Sequence, residues 1–228
     1  MIKGVPRGGH MDIQKTEETG HKSGIRRENV AKILVAAETV FAEKGFKGAS
    51  VGLIAERAGV PKPNVYYYFG AKEDLYRRVI EGVCSIWLHA ADTFDETEDP
   101  AQALTTYVSS KMDLARLRPH GSRLWAIEMA SGAPFLQDYL VGTVKPWLES
   151  RERVLERWIS EGKLAPVKAR YLFYMIWATT QHYADFAAQI DVMNEGCPLD
   201  DDQFTEAKAT VIDLVLKSVG LRDCSIAA

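Results

Sequence analysis

"PKPNVYYYFGAK", residues 61–72, sets two prolines, an asparagine, three consecutive tyrosines, a phenylalanine and a lysine in one turn-sized neighbourhood. A central strand excludes Pro61 and Pro63, because each lacks the N–H that a ladder needs. The first turn of a helix tolerates them, since its N–H groups have no intrahelical acceptor anyway. The stretch therefore reads as a helix that opens at the prolines and runs about two turns through "NVYYYF". Just upstream, "SVGLIAERAGV" (50–60) opens on Ser50, a natural N-cap, and aligns Val51, Ile54, Ala55 and Ala58 before Gly59 stops it. Farther back, "RRENVAKILVAAETVFAEKGF" (26–46) repeats Val30, Ile33, Leu34, Ala37, Val40 and Phe41 at spacings of three and four, with Gly45 as its stop.

Two short helices joined by a glycine turn and braced by a longer one form a helix-turn-helix, whose second member enters the DNA major groove N-terminus first. Lys62 and Asn64 then lie at the groove-facing end. Asn can bond a base edge in two places, and Lys can reach a guanine or a phosphate. Tyr66, Tyr67 and Tyr68 combine flat rings with hydroxyls that can donate to phosphate oxygens. Aromatics at helical spacing are more often core, but consecutive helix positions point about 100° apart, so the three tyrosines cannot all face one core. Val65 and Phe69 are expected to point inward. Ser50 and Lys72 are placed for backbone phosphates.

Charge distribution supports this. The 228-residue chain carries a formal charge of −3, yet residues 20–80 hold eleven Lys and Arg against six Asp and Glu. A local basic excess on an acidic chain favours a nucleic-acid contact at that end. Cys84, Cys197 and Cys224 lie far apart with no paired spacing, which suggests neither a disulfide framework nor a zinc site and fits a reducing cytoplasm. The best apolar run, "LFYMIWA" (172–178), is too short to span a membrane. Residues 1–24 lack the apolar segment of a signal peptide and are expected to be a disordered arm, in which "VPRGGHM" (5–11) resembles a vector remnant.

From Glu73 onward the pattern stays helical, without strand-like alternation. Pro100, Pro119, Pro134, Pro166 and Pro198 fall between segments, whereas Pro146 lies inside one and should kink or divide it. "DDD" (200–202) suits the N-terminus of the last helix. The expected fold is all-α: a helix-turn-helix domain over 25–72, then a larger helical domain over 73–222.

A basic three-helix head followed by a larger helical domain resembles the TetR family of transcriptional repressors. The match runs from "AKILVAAETVFAEKGF" (31–46) through "SVGLIAERAGVPKPNVYYYFGAKEDLY" (50–76). The resemblance implies phosphate contacts at Ser50 and Lys72, base contacts at Lys62, Pro63 and Asn64, and groove and backbone contacts at Tyr66, Tyr67 and Tyr68. Pro61 departs from the serine usual there, so the first turn of that helix is expected to be capped differently. "SRLWAIEMASGAPFLQDYL" (122–140) and "GKLAPVKARYLFYMIWATTQHYADFAAQI" (162–190) also look like the pyrimidine-utilisation regulators of this family, whose effector is uracil or thymine. That resemblance implies a ligand pocket at Trp87, Trp177 and Gln181.

Trp177 and Gln181, four apart, share one helix face. A glutamine amide complements the alternating N–H and C=O edge of a uracil-like ring, and an indole offers a surface to stack on. Pattern alone favours the plainer reading, in which Gln181 caps a neighbouring backbone group and both tryptophans fill core; the resemblance reverses that preference. Arg123 and Glu128 either join the pocket or form an interhelical salt bridge. His182 and Asp185 lack further ligands at metal-binding spacing and are better read as hydrogen-bonding groups. No cofactor is implied. The expected function is a homodimeric, ligand-responsive repressor on a palindromic operator, controlling pyrimidine or nitrogen metabolism, with its last two helices at the dimer interface. The alternatives are a regulator of another small planar ligand, an effectorless DNA binder, or an enzyme acting on a pyrimidine. Against the enzyme, the chain has no nucleophile elbow, phosphate loop or zinc signature.

Overall fold

A computed structural model describes residues 11–221, with side chains from Gly24 onward. Among the described residues the chain is helical, with no strand, and divides into two compact units at Tyr76/Arg77. The expected arm over 1–24 needs correcting: a helix already begins at Met11, while residues 1–10 lie outside the described residues.

In the first unit, α1 (Met11–Gly48) is interrupted at Gly45, whose φ of 67° and ψ of 170° leave helical space. The C-terminal part of α1 buries Ile33, Ala37, Val40 and Phe41 completely. Phe41 meets the Tyr76 ring edge-on at 4.9 Å, and Phe46 meets the same ring at 5.0 Å. α2 (Val51–Ala58) is capped by Ser50, whose Oγ accepts from Leu53 N, and ends on Gly59 in left-handed geometry. That conformation lets the Gly59 and Val60 N–H groups turn back onto the last carbonyls of α2, and a side chain at Gly59 would oppose it. The next helix, α3 (Lys62–Phe69), starts from Pro61 with no side-chain cap and buries Val65. Only the first turn of α4 (Lys72–His89) belongs to this unit.

The second unit takes the rest of α4, then α5 (Thr93–Glu96), α6 (Pro100–Leu117), α7 (Pro119–Ala130) and α8 (Gln137–Tyr139). A π turn (Leu140–Val144) leads into α9 (Lys145–Ser160), followed by α10 (Ala169–Asp185), α11 (Ala187–Met193) and α12 (Asp201–Ser218). Pro146 thus divides its segment: it sits in the first turn of α9, and the wide turn precedes it where its missing N–H would have closed an α-helical bond. Asp200 and Gln203 form a reciprocal capping box on α12.

An aromatic knot centres this unit. Phe94 stacks on Trp158 at 5.8 Å and meets Tyr107 edge-on at 5.6 Å, with Phe173 at 5.9 Å. These rings join α5, α6, α9 and α10. The buried Arg151 reaches across to donate to Ala91 O at 3.1 Å and to Asp95 at 2.6 Å. Because Phe94 is 1% exposed and touches three rings, Phe94→Ala should lower stability by about 3–5 kcal/mol in urea unfolding.

Candidate functional site

The reading head is built on α3. No acidic residue stands in its first turn, where Pro63 has no N–H and Asn64 N donates to Pro61 O at 2.9 Å, leaving the Lys62 N–H as the backbone donor at this end. Lys62 and Pro63 are exposed and Asn64 is half-buried. The Lys62 ammonium hovers 5.9 Å from the Tyr66 ring centroid. Tyr67 is 76% exposed and meets half-buried Tyr68 edge-on at 5.1 Å, so the three tyrosines fan outward from the helix instead of packing together inside. Val65 faces the core, Phe69 is half-buried, and Ser50 spends its Oγ lone pair on Leu53 while keeping its own proton free to donate.

Lys72 has a structural task that its sequence position did not reveal. Its Nζ donates to Phe46 O at 2.9 Å and Ala49 O at 3.1 Å and lies 4.4 Å over the Phe46 ring. Two of its three donors therefore satisfy carbonyls at the end of α1, and the third is what is left for a phosphate.

The second unit holds a half-open cavity. Cys84, Trp87 and Leu88 face it from α4, Tyr107 and Lys111 from α6, Trp125 from α7, Val144 from the π turn, and Trp177 and Gln181 from α10. Its volume is about 40 Å³. At roughly 10–15 Å³ for each occupying water, that is room for about three. Trp87 and Trp125 meet edge-on at 5.7 Å. Trp177 Nε1 donates to Tyr107 Oη at 2.8 Å, fixing one indole against α6. The Gln181 amide has no hydrogen-bond partner among the described residues.

Of the residues named from sequence, Trp87, Trp177 and Gln181 share this cavity. Arg123 does not line it: the side chain is exposed on the outer face of α7. Glu128 is buried, but its carboxylate accepts from Phe135 N at 2.7 Å and holds the loop after α7. Asp185 accepts from Ser122 Oγ at 2.6 Å, and His182 stacks on Phe186 at 4.9 Å. No group of three or more potential metal ligands converges among the described residues. Tyr107, Lys111 and Trp125 escaped the sequence reading. The usable signal was Lys111 itself, a lysine standing in the apolar stripe of α6 four residues after Tyr107.

Residues 33–79 match the profile of bacterial regulatory proteins of the tetR family, and residues 80–222 match the YcdC-like protein C-terminal region. The chain belongs to the TetR family. It is a DNA-binding transcriptional regulator, not an enzyme. It is 37% identical to the HTH-type transcriptional regulator RutR of Escherichia coli over 201 residues, 88% of this chain and 95% of that protein. The uncharacterized HTH-type transcriptional regulator YfiR of Bacillus subtilis is 27% identical over 81% of this chain and 85% of its own. Among solved structures, the TetR-family regulator PfmR of Thermus thermophilus shares the fold with a TM-score of 0.66 at 19% identity, covering 84% of this chain and all but 1% of its own. No helix is long and apolar enough to cross a membrane among the described residues.

Burial pushes the Cys84 thiol up to about 12, against the opposing influence of the Tyr139 hydroxyl and the Lys111 charge. The thiol stays protonated well above neutrality and is shielded as well, whereas Cys197 is exposed. Iodoacetamide at pH 8 should therefore label Cys197 readily and Cys84 only on unfolding, read by peptide mass spectrometry.

Proposed function

We propose that this regulator is a homodimeric repressor whose cavity takes a planar pyrimidine, uracil or thymine, and that occupancy lowers its affinity for a palindromic operator in front of pyrimidine or nitrogen metabolism genes. The observation that carries the proposal is the Gln181 amide, unpaired by any described protein group and set against a cavity that three indoles help to wall. A lactam edge supplies an N–H and a C=O to such an amide, while the ring lies against tryptophan. Similarity to a pyrimidine-utilisation regulator over most of the chain supports the same ligand class.

The position of the walls supports the coupling. Three wall residues sit on α4, the helix whose first turn carries Lys72. A ligand that binds one arrangement of these walls better than another shifts the population toward it. Exposed Tyr171, Tyr174 and Met175 on α10 and Leu214 on α12 supply apolar surface for pairing of two protomers, each presenting its α3 to one half-site.

Asn64→Ala should weaken operator binding by about 1–3 kcal/mol and relax base preference at one position, with folding stability changed by no more than about 0.5 kcal/mol, in fluorescence-anisotropy and unfolding assays. Saturating uracil or thymine should raise the melting temperature and release operator DNA. Trp177→Ala and Gln181→Ala should abolish both effects while leaving ligand-free operator binding intact. If neither base alters melting nor operator affinity, the effector assignment fails and the DNA-reading assignment stands.

A further inference from the structure

Lys111 breaks the pattern of its own helix. The buried stripe of α6 runs Ala103, Leu104, Tyr107, Val108, Lys111, Met112 and Ala115, and the lysine in it is only 4% exposed. Its ammonium lies 4.8 Å from the Trp87 ring centroid and makes no hydrogen bond or ion pair among the described residues. A buried cation without an anion is costly, and proteins seldom keep one for stability. Asp185, the acid that acts on it, holds Ser122 instead. Tyr107, one turn away, already accepts from Trp177, so its hydroxyl has its proton left to give and no described acceptor. An ammonium has three donors and no acceptor. This side of the cavity therefore presents mainly donors.

Building on the cavity proposed above, we infer that Lys111 determines its specificity: it selects planar ligands whose facing edge is acceptor-only, an oxo or carboxylate oxygen, and rejects those that present an amino group there. Within the pyrimidines this separates 4-oxo from 4-amino rings. Gln181, which can both donate and accept, reads the remaining edge, and the ring lies between the indoles.

Protonation fits this role. Burial lowers the Lys111 pKa from its ordinary value to about 8, with the Asp185 carboxylate opposing the shift. The other titratable groups facing it are Cys84 on α4, Tyr107 on α6 and Asp185 on α10; burial pushes the first two up, which keeps them neutral. Trp125 and Val144, facing from α7 and the π turn, do not titrate. Lys111 is thus charged below about pH 8 and loses its charge above it, so affinity for an oxo ligand is full at pH 6–7 and falls as pH rises past 8.

Calorimetric titration of uracil and cytosine into the wild-type protein and Lys111→Met, with melting of each ligand-free protein, tests the inference. Wild type should prefer uracil by more than tenfold. Lys111→Met should lose about ten- to hundredfold in uracil affinity, leave cytosine unchanged and melt no lower than wild type, since it removes a buried unpaired charge. The inference is overturned if Lys111→Met keeps the uracil preference, or if affinity and melting temperature fall together in both Lys111→Met and Lys111→Gln, which marks a structural role. If wild type binds neither base, the pyrimidine assignment fails on its own, and nicotinate against nicotinamide decides this one. Preference for the acid, lost in Lys111→Met, upholds it; equal binding, or none, overturns it.

Discussion

A buried polar group with no protein partner is unfavourable by about 1–3 kcal/mol, more if it is charged. The second unit places one such group, the Lys111 ammonium, on the wall of its cavity, beside the half-buried Gln181 amide. The lysine does not help this unit fold. Its retention is tolerable because the neighbouring aromatic knot of Phe94, Tyr107, Trp158 and Phe173 supplies stability elsewhere. Tyr107 belongs to both sets. Its ring packs in the knot and its hydroxyl holds Trp177, so the indole that walls the cavity is positioned by the core itself.

The first unit solves a different problem, which is to hold an eight-residue helix rigid while leaving most of its surface free. α3 buries Val65 alone. Its rigidity comes from its neighbours: Gly59 turns the chain tightly after α2, Ser50 caps α2, and Phe41, Phe46 and Tyr76 pack as a trio behind. Lys72 closes the arrangement by bonding the carbonyls of Phe46 and Ala49 and covering the Phe46 ring. A charge that from its position could serve only DNA is therefore also a brace, and the helix that presents Asn64 and Tyr67 is fixed before any DNA arrives.

Much of this was legible in the sequence, for physical reasons that differ by element. The head was readable because its signals are local: a serine cap, a glycine that only left-handed geometry explains, and prolines confined to a first turn. Pro146 announced the break before α9 in the same way. The cavity was only half readable, because its walls come from four helices and a turn far apart in the chain. Trp177 and Gln181 could be paired by their spacing on one helix; Trp125 and Tyr107 could not be tied to them without knowing which faces meet. Arg123 went astray because helix phase around Trp125 is ambiguous from pattern alone, and two positions on α7 separate an outward from an inward side chain. The start of α1 was missed because residues 11–24 have no apolar stripe to betray a helix.

The polar groups on the cavity wall bear on how such a regulator could switch. A ligand moves a two-state equilibrium only by the difference between its affinities for the two states, and reversing a 1:99 ratio takes about 5.5 kcal/mol of such difference. A pocket already open in both states wastes most of a ligand's binding energy on uniform binding. Only contacts that the ligand makes better in one state than in the other count toward the shift. A hydrogen bond to a charged group contributes about 1.5–3 kcal/mol, one between neutral groups about 0.5–1.5, and an aromatic contact about 0.5–1.5 beyond the area it buries. Bonds to Lys111, Tyr107 and Gln181 with stacking on two indoles reach the required range without any tighter fit. On this reasoning the groups left without protein partners on the cavity wall are what make a ligand-bound arrangement worth adopting.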